Sequence, residues 1–511
     1  MAITVQLARL TTLRHSTLSG EHSTAVIGAG PAGLTTAYVL AKRGVPVTVV
    51  ESDAIVGGIS RTVEHEGYRV DIGGHRFYTK SPAVEALWNE LLPDDFLQRE
   101  RFSRIYYGRQ FYTYPLKPFE ALWRLGATEA TACVLSYLAS QISPIATPRT
   151  FEDWVSNRFG RRLFEIFFQT YTEKVWGMPC SQISSDWAAQ RIGSLSLGSA
   201  LWHVLPLVDR FGPRAKTLTQ TFRYPRRGPG QLWEACAAQV ERHGGHLQMQ
   251  SRVDRCEWRG GEWLVGFNRS DGTRGEVRAS NLVSSAPITH LVQMLGSSLS
   301  ERSREAADGL KYRDFLTVCL MFDRPMAFRD QWIYVHDPGV HVGRVQNFGA
   351  WSPEMLPSAT TTCLGLEYFC HEGDGLWTMS DDALIAMGEK ELRRIGLWPG
   401  VAATTGCVLR QPKAYPVYDA TYAARVATIR EEIDERFPTL HLVGRNGMHK
   451  YNNQDHAMMT GMLTAENIMA GCRAFDVWLV NGDAEYIEEE SVPATGTALR
   501  AVPTAVATGT D

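Results

Sequence analysis

"TAVIGAGPAGLTTAYVLAKRGVPVTVVE", residues 24–51, is the stretch that decides the fold. "TAVIG" predicts a short buried strand, "PAGLTTAYVLAKRG" a helix closed by Gly44, and "VPVTVV" a second strand ending at Glu51. Gly28, Gly30 and Gly33 form GxGxxG at the strand-to-helix turn. The first permits a tight turn, the second lets a pyrophosphate approach, and the third lets the helix pack closely on the strand. The positive end of the helix then faces the phosphates. Glu51, 23 residues beyond Gly28, stands where an acid accepts hydrogen bonds from a ribose diol. Glycines alone are a weak signal. With a strand before, a helix after and an acid at this distance, they predict a Rossmann-like dinucleotide site.

Two further glycine pairs follow. "VGGISRT", residues 56–62, brings Gly58 and Arg61 into a loop suited to folding over the same pyrophosphate. A dinucleotide as long as FAD calls for such a second loop, whereas NAD enzymes do not usually need one. "DIGGHRFYTKS", residues 71–81, sets Gly73 and Gly74 directly before His75. Paired glycines let another group come close to the backbone, because no Cβ intervenes; the expected visitor is the cofactor ring, with His75 on or beside it.

Bulk composition narrows the class. Apolar residues make up 44% and charged residues 21%, as in an ordinary globular protein. A net charge of −3 gives no electrostatic reason to expect nucleic acid or an anionic membrane as partner. The nine cysteines include no CxxC pair, which fits reduced thiols in a cytoplasmic protein without a zinc site or a disulfide framework. No metal site and no transmembrane segment are expected. Residues 1–22, with Arg9 and Arg14 and no acid before Glu21, read as a disordered leader. The Ala/Thr/Pro/Gly-rich end reads as a disordered tail.

The expected class is α/β: a discontinuous Rossmann-like FAD-binding domain with a helical insert and a mixed antiparallel substrate-side sheet. FAD-binding segments are placed at 23–114, 216–300 and 411–475, the helical insert at 115–215, the substrate-side sheet at 301–410, and a C-terminal extension at 476–511. Within the insert, Phe151, Trp154, Val155 and Phe159 have helical spacing. Thr172, Glu173 and Lys174 read as a helix surface. "HLQMQSRVDRCEW" and "EWLVGF" read as antiparallel strands. Near the end, "LVGRNGMHKYNNQDHAMMTG" predicts a strand ending at Gly444, a loop, and a helix from about His456 capped by Asn453 or Asp455.

These motifs together resemble the FAD-binding superfamily of amine oxidases, protoporphyrinogen oxidases and UDP-galactopyranose mutases. "GGHRFYTKS", "FEIFFQTYTEKVWG" and "AYPVYDATY" followed by "LVGR" and "KYNNQD" are most similar to the mutases. The resemblance implies FAD as cofactor, with His75 against the flavin and the last helix aimed at its pyrimidine edge, where a helix N-terminus stabilises negative charge. It extends the cofactor set to Ala32, Gly74, Val253, Gly444, Asp455, His456, Ala457 and Met458. His75, Arg445 and Tyr451 are the implied catalytic residues, the latter two reaching a sugar diphosphate. Tyr171, Trp176, Arg191 and Asn453 are the implied substrate-cleft residues.

The chain departs from the mutase pattern where Asn453 replaces an acid, and where "AAQRIGSLS" offers Arg191 without a second arginine. The resemblance still makes the first functional expectation a pyranose–furanose type isomerisation of a nucleotide-linked sugar through flavin N5, with NAD(P)H or another external reductant. The alternative, toward which these departures lean, is an FAD oxidoreductase acting on an amine, alcohol or allylic C–H. A flavin-binding scaffold without turnover is disfavoured by the aromatic cleft.

Overall fold

The computed structural model describes residues 23–185, 221–326 and 328–481. The leader, the far C-terminal tail and Arg191 lie outside them.

Strand β1 (Thr24–Ile27) is fully buried, and helix α1 (Pro31–Lys42) follows with proline in its first turn and Gly30 as N-cap. Proline suits that position because its missing N–H would have no intrahelical partner there. β1 lies at the centre of a five-stranded parallel sheet in the order Leu440–Leu442, Asn281–Ser284, β1, Val47–Val50, His246–Gln248. Strands distant in the chain thus build one nucleotide-binding sheet, and their near-continuous apolar runs reflect burial on both faces. The run expected as a single strand from His246 splits: His246–Gln248 joins this parallel sheet, and Ser251–Arg259 turns away to pair antiparallel with Glu262–Arg269.

The second sheet has seven strands, in the order Thr405–Pro416, Tyr312–Phe322, Thr362–Cys370, Arg344–Asn347, Trp332–Val335, Ser103–Tyr107, Gln110–Thr113. All neighbours are antiparallel except Trp332–Val335 and Ser103–Tyr107, which run parallel. The last two strands come from a segment assigned by sequence to the nucleotide-binding part; the β-ladder, not chain proximity, makes them the edge of the substrate-side sheet.

Period-two alternation gives this sheet two distinct faces. Leu316, Val318, Leu320, Ile333, Val345, Leu364 and Leu366 pack with Leu384 and Leu392 of the helix Asp381–Arg394. The intervening residues, among them Phe315, Trp332, Arg344, Glu367 and Phe369, point the other way. Helices Pro118–Leu125, Ala127–Ile142, Phe151–Phe159 and Thr170–Trp176 lie in the insert, with a π-helical turn at Glu165–Gln169. Lys174, expected on a helix surface, instead donates to the carbonyls of Val335, Asp337 and Val342, tying this unit to the sheet.

Candidate active site

The first glycine turn has the geometry of a phosphate cradle. Gly28 sits at φ +97°, a conformation that disfavours a side chain, and a Cβ there would lie 2.3 Å from the Ser285 hydroxyl. A Cβ on Gly30 would approach nothing closer than the Gly58 Cα at 3.8 Å, so the first and second glycine loops face one another backbone to backbone. No side chain caps the N-terminus of α1, and no acid lies in its first turn. Its N–H groups are therefore available to an anion. Glu51 accepts the Ala29 N–H at 2.6 Å and the Asp53 N–H at 2.8 Å, one on each carboxylate oxygen. The Ser52 hydroxyl also donates to Oε1 at 3.1 Å, so these bonds orient the carboxylate and leave acceptor capacity on Oε2. Arg61 folds back, donating to the Gly58 carbonyl at 2.8 Å and to Gln411 at 2.9 Å, so it links this loop to the substrate-side sheet. Val253 packs with Ala25, Ile27 and Val50 at the adjoining end of the parallel sheet.

At the far end of the site, the strand stops at Leu442, two residues short of the expected Gly444, and Gly444 instead opens a short helical turn at φ +74°. The last helix, α2 (Gln454–Ala470), has Asn453 as N-cap, and the Asn453 N–H donates to His456 Nδ1 at 3.1 Å. Asp455, His456, Ala457 and Met458 are all buried, and Met458 Sδ accepts from the Trp88 indole. The Gln454 side-chain amide at the mouth of α2 is buried without a hydrogen-bond partner among the described residues. An orphaned donor and acceptor at a helix N-terminus fits a site that takes a polar ring edge.

Between these ends lies His75. Its Nε2 is within 3.0 Å of the Ile59 carbonyl and 3.2 Å of the Ile72 carbonyl, so Nε2 carries the proton and Nδ1 is left as an acceptor. Burial, with Arg445 and Arg344 nearby, lowers its pKa to about 4, and the ring is neutral at physiological pH. A Cβ at Gly74 would strike the Trp351 and Trp332 indoles at 3.0 and 3.1 Å, so this glycine admits Trp332 of the seven-stranded sheet and Trp351 of the short helix Phe348–Trp351.

Arg445 donates to the Asn452 carbonyl at 3.0 Å and the Ala414 carbonyl at 3.1 Å. Its guanidinium lies 4.7 Å from the Tyr451 ring and 5.4 Å from the Tyr415 ring, and those two rings stack 5.7 Å apart. No carboxylate among the described residues pairs with it. Tyr171 stacks on His336 at 4.8 Å and meets Tyr334 edge-on at 5.6 Å. Trp176 lies one layer back, buried in the helical unit and edge-on to Tyr415 at 6.4 Å.

Sequence reasoning missed Arg344. It forms a buried ion pair with Glu367, donates to the Tyr415 hydroxyl at 3.0 Å and lies 4.7 Å from the Trp332 ring. Gln346 donates to the second Glu367 oxygen at 2.7 Å. Burial pushes the Glu367 carboxyl up, and the Arg344 guanidinium opposes that shift. A usable signal was present: a lone charged residue, Glu367, in the apolar part "CLGLEYF" of a strand-like run demands a buried partner.

Comparison with known proteins matches residues 31–469 to the family described as flavin containing amine oxidoreductase. The chain is 27% identical over 175 residues to the probable UDP-galactopyranose mutase of Klebsiella pneumoniae, covering 32% of this chain and 42% of that protein. It is 43% identical over 67 residues to protoporphyrinogen oxidase 2, chloroplastic/mitochondrial, of Arabidopsis thaliana, covering 13% of each. The match thus spans well under half the length of these curated relatives. Among solved structures, reduced UDP-galactopyranose mutase superposes with a TM-score of 0.79 at 20% identity, covering 91% of this chain and 99% of that one. A putative protoporphyrinogen oxidase from Exiguobacterium sp. 255-15 gives 0.68 at 16% identity, covering 89% and 100%. At these identities the likeness establishes the fold, with the α/β architecture expected from sequence.

Proposed function

Because the chain belongs to the family of flavin-containing amine oxidoreductases, whose members bind FAD, we propose that it is a flavoenzyme acting on an anionic, nucleotide-linked sugar by pyranose–furanose type isomerisation. One observation carries this reading: the uncompensated charge of Arg445, close enough to Arg344 and His75 that both arginines depress the histidine. A cleft with that charge repels a protonated amine and attracts a diphosphate.

When bound, FAD supplies the electron-rich ring chemistry that the side chains lack. The protein's part is binding and orientation. The facing backbones at Gly30 and Gly58 and the open N-terminus of α1 receive the pyrophosphate, Glu51 the ribose, and the start of α2 the pyrimidine edge. His75 keeps its proton on Nε2 through Ile59 and Ile72, so it presents Nδ1 to the ring slot as a neutral acceptor. Arg445, steadied by the Tyr415–Tyr451 stack, takes the diphosphate together with the Tyr451 phenol. Tyr171, Tyr334 and Trp332 wall the sugar side and exclude water. Asn453 serves as the cap of α2.

The second reading, oxidation of a larger, less polar substrate, is favoured by the aromatic lining itself, in which Trp332 and Tyr334 stack at 5.7 Å. The discriminating experiment uses purified yellow protein. A mutase requires prior reduction by dithionite or NAD(P)H and then converts a UDP-sugar without consuming reductant. Bleaching by an amine, alcohol or allylic substrate alone, with no turnover of any nucleotide sugar after reduction, would overturn the proposal.

A further inference from the structure

Nine large apolar side chains are exposed among the described residues, and seven of them lie between Phe119 and Ile145. They are Phe119, Trp123, Val134, Leu135, Leu138, Ile142 and Ile145, with Trp123 and Ile142 each 86% exposed. The clustering is a property of two helices. In Pro118–Leu125, Ala121 is buried while Phe119 and Trp123, one turn apart, face outward. In Ala127–Ile142, Cys133 is buried and Tyr137 packs against the same core, whereas Leu135, Leu138 and Ile142 recur at i, i+3 and i+7 on the outer side. Large apolar chains scattered singly over a surface are ordinary, but a contiguous patch on this scale marks an interaction surface.

The charge beside this face identifies what covers it. Residues 101–165 carry nine Lys and Arg against five Asp and Glu, an excess of four positive charges within a chain whose total is −3. A cleft of about 390 Å³ opens against the first of the two helices, lined by Arg104, Arg109, Gln110, Thr113, Glu120 and Arg124. Arg104 is held by Asp330 at 2.6 Å and Arg124 by Glu120 at 3.0 Å. Arg109 is exposed and has no ion-pair partner among the described residues. Lys117 and Arg149, also exposed, flank the apolar segment in sequence.

We propose that the helix pair Pro118–Leu125 and Ala127–Ile142 is a peripheral membrane-docking face, in which the exposed apolar side chains enter the lipid interface and Arg109, Lys117 and Arg124 engage the phosphates of anionic headgroups. A second copy of the chain is the weaker occupant, since a two-fold contact through this face would bring two copies of the same positive excess together. Anionic lipid complements that excess, and the exposed Trp123, next in the chain to Arg124, has the amphipathic ring suited to headgroup depth. No helix among the described residues is long and apolar enough to span a bilayer, so the contact is one of lying on the surface.

Flotation of the full-length FAD-loaded protein with vesicles tests this. Vesicles of phosphatidylcholine alone and of phosphatidylcholine with about 30% phosphatidylglycerol are compared, at low salt and at about 0.5 M NaCl. The protein is expected to float with the anionic vesicles at low salt, to be largely released at high salt, and to remain at the bottom with phosphatidylcholine alone. The triple variant Trp123→Ser/Leu135→Ser/Ile142→Ser and the double variant Arg109→Glu/Arg124→Glu should each lower the bound fraction roughly tenfold. Flavin absorbance and the melting temperature serve as fold checks, since all five side chains are exposed. Failure to float with either vesicle, or equal flotation with both, overturns the proposal. So does a dimer in sedimentation velocity that the triple serine variant dissociates, because the face is then covered by a second copy.

Discussion

His75 does two things at once. Its Nε2–H bridges carbonyls of the second and third glycine loops, and its ring occupies the space between them. His75→Ala is expected to retain FAD, to shift the flavin absorbance and to lower turnover by about 10²-fold. An unchanged spectrum and rate would reduce the residue to a loop staple. Arg445→Ala separates binding from structure differently. If the guanidinium receives the diphosphate, KM for a nucleotide sugar should rise at least about tenfold, with a stability loss of roughly 1–3 kcal/mol from two carbonyls left unsatisfied. Arg445→Lys should restore part of the binding but not the stack on Tyr451. Both residues stood out in sequence as candidates because short motifs flank them. Arg344 was not: its role depends on standing directly opposite Glu367 in the strand ladder, and that register is fixed by pairing between segments with no shared local signal.

At the scale of elements, the site exists because α1 and α2 cross at very short range. A Cβ at position 461 would lie 2.5 Å from the Ala32 carbonyl oxygen and 2.9 Å from Thr36 Oγ1, and one at Gly444 would lie 2.8 Å from the Ala32 Cβ. Ala32 is therefore a contact surface for the last helix, and the two helices that hold opposite ends of the cofactor are positioned by one another. Gly461→Ala improves intrinsic helix propensity yet should destabilise by about 1–3 kcal/mol, because backbone rather than a flexible side chain must move. Thermal unfolding and the ratio of flavin to protein absorbance measure both consequences; a more stable, fully flavinylated variant would contradict the crossing described here. Local elements were readable wherever turn chemistry and periodicity agreed, as in β1 and α1. What sequence could not supply was partnership across the chain. Ser103–Tyr107 pairs in parallel with Trp332–Val335, and the apparent single strand after His246 divides between two sheets.

For the whole molecule, packing two sheets and their helices together buries several ionisable groups. Burial is the leading cause in each case. It holds His75, His441 and His449 down at about 4 and His336 at about 3, and lowers His290 as well. Burial also raises Asp71 to about 7, where its carboxylate accepts from Thr62 and Tyr224, and raises Glu367 and Glu466. The signs oppose one another. A depressed histidine binds fewer protons folded than unfolded between its two pKa values, so its contribution is full above about 6.5 and is lost as pH falls toward 4. A raised carboxyl such as Asp71 favours the folded state most in acid, and that advantage is lost as pH rises from about 3.8 through 7. Five histidines against three carboxyls make the histidines prevail. Each uncompensated proton is worth at most about 1.4 kcal/mol per pH unit. The melting temperature should therefore climb between about pH 4.5 and 6.5. In the same window Asp71→Asn, which removes one opposing group, should make the climb steeper even if it lowers stability overall. A melting temperature independent of pH across that interval would mean that these histidines are not buried neutral, and that the cleft is open to water where the two sheets meet.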